Sequence, residues 1–272
     1  RDCTIQRRYQ KLIEESPAPG LAPTIRDGLL RAAVKAARAA KYVNAGTVEF
    51  ILAPSGEYYF LEVNARLQVE HPVTELCTGI DIVKAQIAVA AGERLPWRQA
   101  DVHPRGAAME CRITAEDAAN GFVPASGRID AVRVPDGPGI RLDGGYEAGD
   151  SVPVYYDSLV AKLCAWGTDR TEATARMQRA LGECAYLGVP NTIGFHRYVL
   201  AHPEFVEARH DTGFVARHWP PATLVPEDVA RRMALAAALD RHRRARAPRP
   251  DDGARDAWAT GGRLAIVQQG LP

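Results

Sequence analysis

The stretch GTVEFILAPSGEYYFLEVNARLQVEH, Gly46–His71, contains two runs rich in Val, Ile, Phe, Tyr and Leu. The runs are Gly46–Leu52 and Glu57–Ala65, and the four residues APSG separate them. A short loop with Pro and Gly between two such runs is typical of a β-hairpin. We therefore predict two adjacent antiparallel strands here.

Three polar side chains are predicted to share one face of this hairpin. If the residues that flank the loop pair with each other, Glu49 lies opposite Phe60, and Glu62 and Asn64 follow at spacings of two. Two carboxylates and a carboxamide are hard oxygen ligands of the kind that Mg²⁺ or Mn²⁺ prefers. The alternative is an ordinary solvent-facing strand. The apolar neighbours argue against a solvent-facing strand, because they indicate a sheet that is buried on part of both faces. These neighbours are Phe60, Leu61 and Val63. A carboxylate in such a place needs a cation or hydrogen-bond donors.

Composition and charge exclude several classes of function. The 272 residues carry a net charge of +1, with 25% charged and 46% hydrophobic residues, which fits neither a nucleic-acid-binding nor a disordered protein. The five cysteines show no CxxC spacing, so we expect reduced thiols in a cytoplasmic protein. No apolar run reaches transmembrane length, and we expect neither a signal peptide nor a membrane partner.

A group of cations lies near the start of the sequence. Arg7, Arg8 and Lys11 are close together in a stretch that favours β-structure. Guanidinium and ammonium groups suit an anion such as phosphate or bicarbonate. A solvated basic patch is the alternative.

Four motifs of the sequence resemble those of biotin carboxylases, the ATP-grasp enzymes that carboxylate biotin. They occur in that family's order and spacing, and the resemblance runs from residue 1 to about Trp219. Because the chain opens inside one of these motifs, we expect a part of a longer polypeptide that has little activity alone. The motifs are EVNARLQVEHPVTE at Glu62–Glu75, RDCTIQRRYQK at Arg1–Lys11, MECRITAED at Met109–Asp117 and YYDS at Tyr155–Ser158.

The fold class predicted from pattern and resemblance is α+β. An ATP-grasp lobe, with an antiparallel sheet and helices, is expected at residues 1–95. A β-rich biotin carboxylase C-terminal domain follows at 96–221, and a helical connector leading to a partner-binding region at 222–272. The last of these contains a predicted helix, Pro226–Ala245.

Within the first domain, Thr24 is the predicted N-cap of an amphipathic helix that runs to about Lys41. Two further helices, Val73–Cys77 and Ile80–Ala91, are expected to end at glycines, Gly79 and Gly92. The core-facing residues of the first helix are predicted from helical spacing: Leu29, Leu30, Ala33, Ala37 and Ala40.

The second domain is predicted to hold short strands between Gly, Pro and Asp turns, followed by two helices. The strands are Gly106–Ile113, Gly127–Pro135, Gly139–Asp143, Ser151–Tyr156 and Leu159–Trp166, and the helices are Arg170–Leu187 and Thr192–Leu200. Arg112 lies on the first strand, with Glu110 on the same face as a possible salt-bridge partner. The resemblance instead places Arg112 at a biotin site.

The resemblance implies a role for each candidate site residue. The implied metal ligands are Glu49, Glu62 and Asn64, and the residues on the nucleotide side are Gln6, Tyr9, Glu49 and Glu62. The implied bicarbonate-binding residues are Lys11, Arg66, Gln68 and Val69. The implied catalytic residues are Glu70, Arg66 and Arg112. Glu70 is the expected general base, and Arg112 the group that stabilises negative charge on biotin. Tyr9 stands where many relatives carry His, which puts the polar contact expected there in doubt.

The implied cofactors are ATP, Mg²⁺ or Mn²⁺, and biotin. No Met-Lys-Met biotinylation motif occurs in the sequence, so biotin is expected on a separate carrier domain. The implied partners are that carrier, further copies of the parent enzyme, and a carboxyltransferase subunit. The implied pathway is that of an acyl-CoA carboxylase. A pyruvate or urea carboxylase, or a catalytically silent assembly module, remains the alternative.

Overall fold

The computed structural model describes residues 1–221 and 227–246. The chain divides into two units, Arg1–Pro220 and Pro221–Pro272. In the second unit the structure describes one helix, close to the one predicted, and the remainder of the predicted connector, residues 247–272, lies outside the described residues.

The first unit contains both strands and helices, with a run of short strands in its second half. The strands are β1 Asp2–Arg7, β2 Gln10–Ser16, β3 Thr47–Leu52, β4 Tyr58–Asn64, β5 Ala107–Thr114, β6 Glu116–Asp117, β7 Val123–Pro124, β8 Gly127–Arg128, β9 Ala131–Arg133, β10 Ile140–Gly144, β11 Ser151–Val152, β12 Leu159–Gly167 and β13 Ala185–Leu187. The helices are α1 Pro23–Ala39, α2 His71–Thr78, α3 Ile82–Ala90, α4 Arg170–Glu183, α5 Ile193–Ala201, α6 Pro203–Val206 and α7 Phe214–His218, with α8 Glu227–Arg246 in the second unit.

The main sheet has five strands in the order β1-β2-β5-β12-β10, and its neighbouring strands are antiparallel. This arrangement confirms the predicted α+β class. The sheet takes strands from both sides of Leu95, and the domain boundary expected at that residue stays a prediction.

The central strand β5 has apolar side chains on one face of the sheet and charged side chains on the other. Met109, Cys111 and Ile113 are buried in the main hydrophobic core, against which α4 and α5 pack. Ala108, Glu110 and Arg112 alternate with them and therefore point to the other face. One face of β5 thus packs into the main hydrophobic core, and the charged side chains of Glu110 and Arg112 lie on the opposite face.

Helix α2 anchors the polar side of the sheet. Val73 and Cys77 are buried against Ala108 of β5. The helix ends at Gly79, which has φ 71° and donates its N–H to the Glu75 carbonyl at 2.8 Å, as predicted for a glycine C-cap. Because Glu70 directly precedes α2, this packing fixes its position.

The hairpin is confirmed, but its predicted register is wrong. Glu49 pairs with Glu62 rather than with Phe60, because Leu52 pairs with Tyr58 at the loop instead of Glu57 and a bulge lies between Glu49 and Phe50. A bulge adds one residue to one strand and shifts every later pair. The expectation of burial on both faces is also wrong, since β3 and β4 form a two-stranded sheet on which Phe60 is 59% exposed, with no further strand paired to it among the described residues.

Helix α1 differs from its prediction at its start and in its packing. It begins at Pro23 after Ala22, and the Thr24 side chain does not cap it. Proline suits the first helical position because its φ is already helical and its missing N–H would have no partner there. No residue of α1 is buried: the predicted core residues are half-buried at Leu29, Ala33 and Ala37 and exposed at Leu30 and Ala40.

Three predicted elements of the second half are shorter than expected. Residues 170–187 form α4 only to Glu183, because β13 pairs with β9 instead of continuing the helix. The strand predicted at 151–156 stops at Val152, before a proline that cannot donate to a ladder. Residues 127–135 split into β8 and β9, which pair with different strands.

The five cysteines are free thiols, as predicted. Among residues 1–221 and 227–246, no helix combines the length and apolar character needed to span a bilayer.

Replacing Phe195 by alanine tests the location of the core. Phe195 is fully buried, with its ring centroid 5.2 Å from that of Phe122 and 5.1 Å from that of Trp219. We expect its truncation to lower the free energy of unfolding by about 3–5 kcal/mol, measured by chemical denaturation. Phe60→Ala removes the same atoms from an exposed ring and should cost less than about 1 kcal/mol. Equal losses in the two variants would contradict this core.

Candidate functional site

A cavity of about 220 Å³ lies on the polar side of the main sheet. Its walls come from β2, from β4 and the segment that leads into α2, and from β5. It contains all of the predicted site residues except Gln6 and Glu49. The lining residues are Tyr9, Gln10, Lys11, Glu62, Asn64, Arg66, Gln68, Val69, Glu70 and Arg112.

A second cavity, of about 300 Å³, lies beside the first. Lys11, Gln68 and Glu70 line both cavities, and Glu49 lines only the second. Lys11, Gln68 and Glu70 therefore form the wall that the two cavities share.

Glu70 is buried, with Arg1 Nη1 3.8 Å from its Oε1 and two cations closer to it. Lys11 Nζ lies 2.8 Å from its Oε1, and Arg112 Nη2 lies 2.9 Å from its Oε2. Burial acts to raise the pKa of Glu70, but the hydrogen bond from Lys11 and the charges of Lys11 and Arg112 outweigh it and hold the pKa below its usual value. Glu70 is therefore a carboxylate at neutral pH, ready to accept a proton.

Lys11 connects Glu70 to the hairpin. Its Nζ lies 2.6 Å from Glu49 Oε1 and 2.8 Å from Glu70 Oε1. Burial acts to lower the pKa of Lys11, yet its anionic neighbours, these two carboxylates among them, raise it overall. Lys11 is therefore a fixed positive charge in the wall of both cavities.

The predicted metal ligands are brought together by the hairpin. Asn64 Nδ2 donates to Glu49 Oε1 at 3.1 Å and to Glu62 Oε1 at 2.9 Å, and Gln68 Nε2 donates to Glu49 Oε1 at 2.5 Å. In the described part of the chain, no group of three or more His, Cys, Asp or Glu side chains is arranged to hold a metal. Two cross-strand carboxylates nevertheless fit a Mg²⁺-like ion, which commonly binds one or two carboxylates and takes its other oxygens from water and phosphates.

Arg112 is paired, but not with the residue suggested by its strand. Its Nε lies 2.6 Å from Glu14 Oε1, and its Nη2 contacts both Glu14 and Glu70. The suggested partner Glu110 instead accepts a hydrogen bond from Cys164 Sγ at 3.5 Å. The possible salt bridge between Glu110 and Arg112, the alternative to the biotin site, is therefore replaced by a pair between Arg112 and Glu14 of the adjacent strand.

The structure separates the cations near the start of the chain. The Arg7 guanidinium lies 4.9 Å from the Phe122 ring centroid, and Arg8 is exposed in the β1–β2 turn with φ 48°. Of the three, Lys11 alone lines the cavity. The predicted three-cation cluster is wrong.

The two nucleotide-side candidates in β1 and its turn make few contacts with the site. Gln6 Nε2 donates to the Cys3 carbonyl at 3.4 Å, and Tyr9 is 95% exposed at the rim of the smaller cavity. Arg66 lines that cavity, and its Nη1 donates to the Leu67 carbonyl at 3.1 Å.

Three residues of the site were missed by the sequence reasoning. Arg1 Nη1 donates to Gln68 Oε1 at 3.0 Å and lies 3.8 Å from Glu70 Oε1. The other two come from more distant strands. Glu14 holds Arg112 across 98 positions of sequence, and Lys162 Nζ donates to the Val69 carbonyl at 3.2 Å while lying 3.2 Å from Asp143 Oδ2. Only the pairing of β2 and β12 with β5 brings them near, so no local pattern could have identified them.

Two family descriptions match the chain. Residues 1–98 match the carbamoyl-phosphate synthase L chain, ATP binding domain, and residues 110–217 match the biotin carboxylase C-terminal domain. Together they cover both groups of residues that meet at the cavity.

Curated relatives and solved structures agree with these matches. The chain is 52% identical over 215 residues to a biotin carboxylase of Nostoc sp., covering 79% of this chain and 48% of the relative. It is 50% identical to a pyruvate carboxylase subunit of Methanothermobacter thermautotrophicus, covering 79% and 44%. The chain thus spans about half the length of these relatives.

A solved structure of similar fold is the biotin carboxylase domain dimer of Hydrogenobacter thermophilus 2-oxoglutarate carboxylase, in complex with MgADP, ADP and bicarbonate. The TM-score is 0.78 at 44% identity, and the match covers 80% of this chain and 48% of that one. With two matched domains, relatives near 50% identity and a shared fold, the chain belongs to the biotin carboxylase family.

Proposed function

We propose that this chain carries part of the active site for the ATP-dependent carboxylation of biotin with bicarbonate. The observation that supports it most strongly is the Glu70 carboxylate, buried between Lys11 and Arg112 in the wall of a cavity. A base, an anion-binding cation and a second cation are the groups that the two stages of this reaction need.

In the first stage bicarbonate attacks the γ-phosphorus of ATP, which releases ADP and gives carboxyphosphate, and carboxyphosphate decays to CO₂ and inorganic phosphate. Lys11 and Arg66 bind the bicarbonate, and the backbone at Gln68 and Val69 orients it. Glu70 accepts the bicarbonate proton as general base, which makes the oxygen a better nucleophile toward the γ-phosphorus. The buried position of Glu70 keeps competing water away from this proton transfer.

Glu49 and Glu62, with Asn64, would hold Mg²⁺ or Mn²⁺ on the nucleotide side, where Gln6 and Tyr9 are also assigned. When bound, the ion supplies positive charge that offsets the phosphate oxygens.

In the second stage the ureido nitrogen of biotin attacks CO₂ as it loses a proton. Arg112 stabilises the enolate-like oxygen that develops on biotin. Glu70 passes its first proton to the phosphate released with CO₂ and then receives the proton from biotin. Free biotin, or biotin on a carrier domain, approaches through the smaller cavity that Arg112 lines.

The whole enzyme is proposed to include a carrier domain, a carboxyltransferase and further copies of itself, in the cytoplasm. The carboxyl acceptor is proposed to be an acyl-CoA, with pyruvate as an alternative that the Methanothermobacter relative supports. The domain limits at residues 95 and 221 belong to the same proposal.

Glu49→Gln and Glu62→Gln test the metal role. Each change removes a charged ligand without altering size, so in the full-length carboxylase bicarbonate-dependent ATP cleavage should fall at least about 10- to 100-fold. Rates measured against Mg²⁺ concentration give the result. Glu57→Gln, on the exposed end of the same hairpin, is the control. Near-normal rates in both site variants would exclude the metal role.

Arg112→Ala tests the biotin role. Because its proposed partner is biotin rather than phosphate, we expect carboxylation of free biotin to fall at least about 10-fold further than bicarbonate-dependent ATP cleavage. The two half-reactions are assayed separately in the full-length carboxylase. Equal losses in both half-reactions would assign Arg112 a structural salt bridge with Glu14 and Glu70 instead.

Lys11→Met tests how Glu70 is kept ionised. Loss of the ammonium removes a hydrogen bond and a positive charge, so the pKa of Glu70 should rise by at least about one unit. A carboxyl ¹³C NMR titration of this chain measures the shift. Lys84→Met, which removes an exposed ammonium 3.5 Å from Asp81, is the control and should leave Glu70 unchanged. An unchanged Glu70 pKa in Lys11→Met would contradict the electrostatic account.

A further inference from the structure

Glu14 is a fully buried carboxylate behind the proposed biotin site. It lies on β2 with no exposed surface, and its Oε1 accepts from Arg112 Nε at 2.6 Å and also contacts Nη2. The same Nη2 reaches Glu70 at 2.9 Å. Arg112 is therefore held between two carboxylates, of which only Glu70 lines the cavities.

Glu14 also faces a second buried carboxylate. It pairs directly with Glu110 across β2 and β5, so the two side chains lie on one face of the sheet. Glu14 Oε2 and Glu110 Oε1 are both buried without a hydrogen-bond donor. Two adjacent buried carboxylates do not both ionise readily, so we expect the pair to hold one proton.

The proton of this pair belongs on Glu110. Burial first, and then the negative charge of Glu14, raise the pKa of Glu110 to about 9. Burial also raises the pKa of Glu14, to about 7, but there the direct contact with Arg112 opposes the shift. Glu110 is therefore the neutral member, and Glu14 carries the charge that pairs with Arg112.

The backbone of Arg112 is fixed as well. Its carbonyl accepts from Thr192 Oγ1 at 3.0 Å and lies 2.7 Å from His196 Nε2. Burial lowers the pKa of His196 to about 4, so the ring is neutral and donates from Nε2 to the carbonyl. With its main chain held, Arg112 can be redirected only through its side chain, and Glu14 determines where that side chain points.

We propose that Glu14 is a positioning residue for biotin carboxylation: it directs the Arg112 guanidinium toward the cavity and supplies a second negative charge, so that Arg112 remains paired when Glu70 takes a proton. This inference rests on the proposed function. Without Glu14, the whole charge of Arg112 acts on Glu70, which makes Glu70 a weaker base and draws Arg112 away from biotin. Glu14 itself does not touch a substrate.

Glu14→Gln is the direct test in the full-length carboxylase. The kcat/KM for free biotin should fall at least about tenfold further than bicarbonate-dependent ATP cleavage, because a weaker Glu70 base affects both half-reactions whereas displacement of Arg112 affects only the reaction of biotin. Glu14→Asp keeps the charge on a shorter side chain and should recover part of the loss. Should Glu14→Gln fail to fold, Glu14→Asp carries the test, with a smaller fall in the same ratio.

Two matched variants separate positioning from structure. Glu15→Gln makes the same change at the next residue, a buried carboxylate whose two oxygens lie 2.6 and 3.0 Å from Arg170. It should lower stability but leave the ratio of the two half-reactions unchanged. Glu110→Gln replaces a protonated carboxyl by its neutral isostere, so its ratio should stay within about twofold of wild type.

A second readout does not depend on turnover. In a crystal structure of Glu14→Gln, the Arg112 guanidinium should turn toward Glu70, because its second carboxylate partner is lost; in Glu15→Gln it should remain between Glu14 and Glu70. An unmoved Arg112 side chain in Glu14→Gln, or a half-reaction ratio in Glu14→Gln equal to that in Glu15→Gln, would overturn the inference. Absence of biotin carboxylation in the wild-type enzyme would instead overturn the proposed function, and the position of Arg112 would still decide whether Glu14 directs it.

Discussion

The ion pairs around Glu70 are the interaction on which the candidate site depends. A carboxylate this deeply buried would take up a proton if it had no cation beside it. Lys11 and Arg112 each contact a different oxygen of Glu70, at 2.8 and 2.9 Å, and keep it ionised. Since these cations lie on β2 and β5, the site exists only when the two strands pair beside the start of α2.

The main sheet satisfies that requirement by using its two faces differently. Met109, Cys111 and Ile113 join the apolar core, and the residues between them point to the polar side. Packing of Val73 and Cys77 against Ala108 then fixes α2 on that polar side. The apolar core therefore provides the free energy that holds the charged groups in place, and the charged groups do not have to stabilise the fold themselves.

Short-range features of this architecture could be predicted from sequence, and long-range ones could not. The hairpin, the glycine end of α2 and the meeting of Glu49, Glu62 and Asn64 follow from local patterns. The bulge that shifts the hairpin register leaves no such pattern. Helical spacing likewise predicts which residues of α1 share a face, but not how much of that face is covered.

The contact between Glu14 and Arg112 marks the limit of sequence reasoning most clearly. The two residues are 98 positions apart, and the same strand offered Glu110 as a nearer partner for Arg112. Strand order decides between these partners, because β2 pairs with β5 and places Glu14 directly opposite Glu110. Glu110 is then the carboxyl that holds a proton, and Glu14 becomes the counter-ion.

The most direct test of the proposed site is a crystal structure of this chain grown with bicarbonate. We expect the anion in the cavity of about 220 Å³, within hydrogen-bond distance of Lys11 Nζ and the Arg66 guanidinium and adjacent to Glu70. Bicarbonate bound elsewhere, with Lys11 still paired only to Glu49 and Glu70, would contradict the assignment of this cavity to the carboxylation reaction.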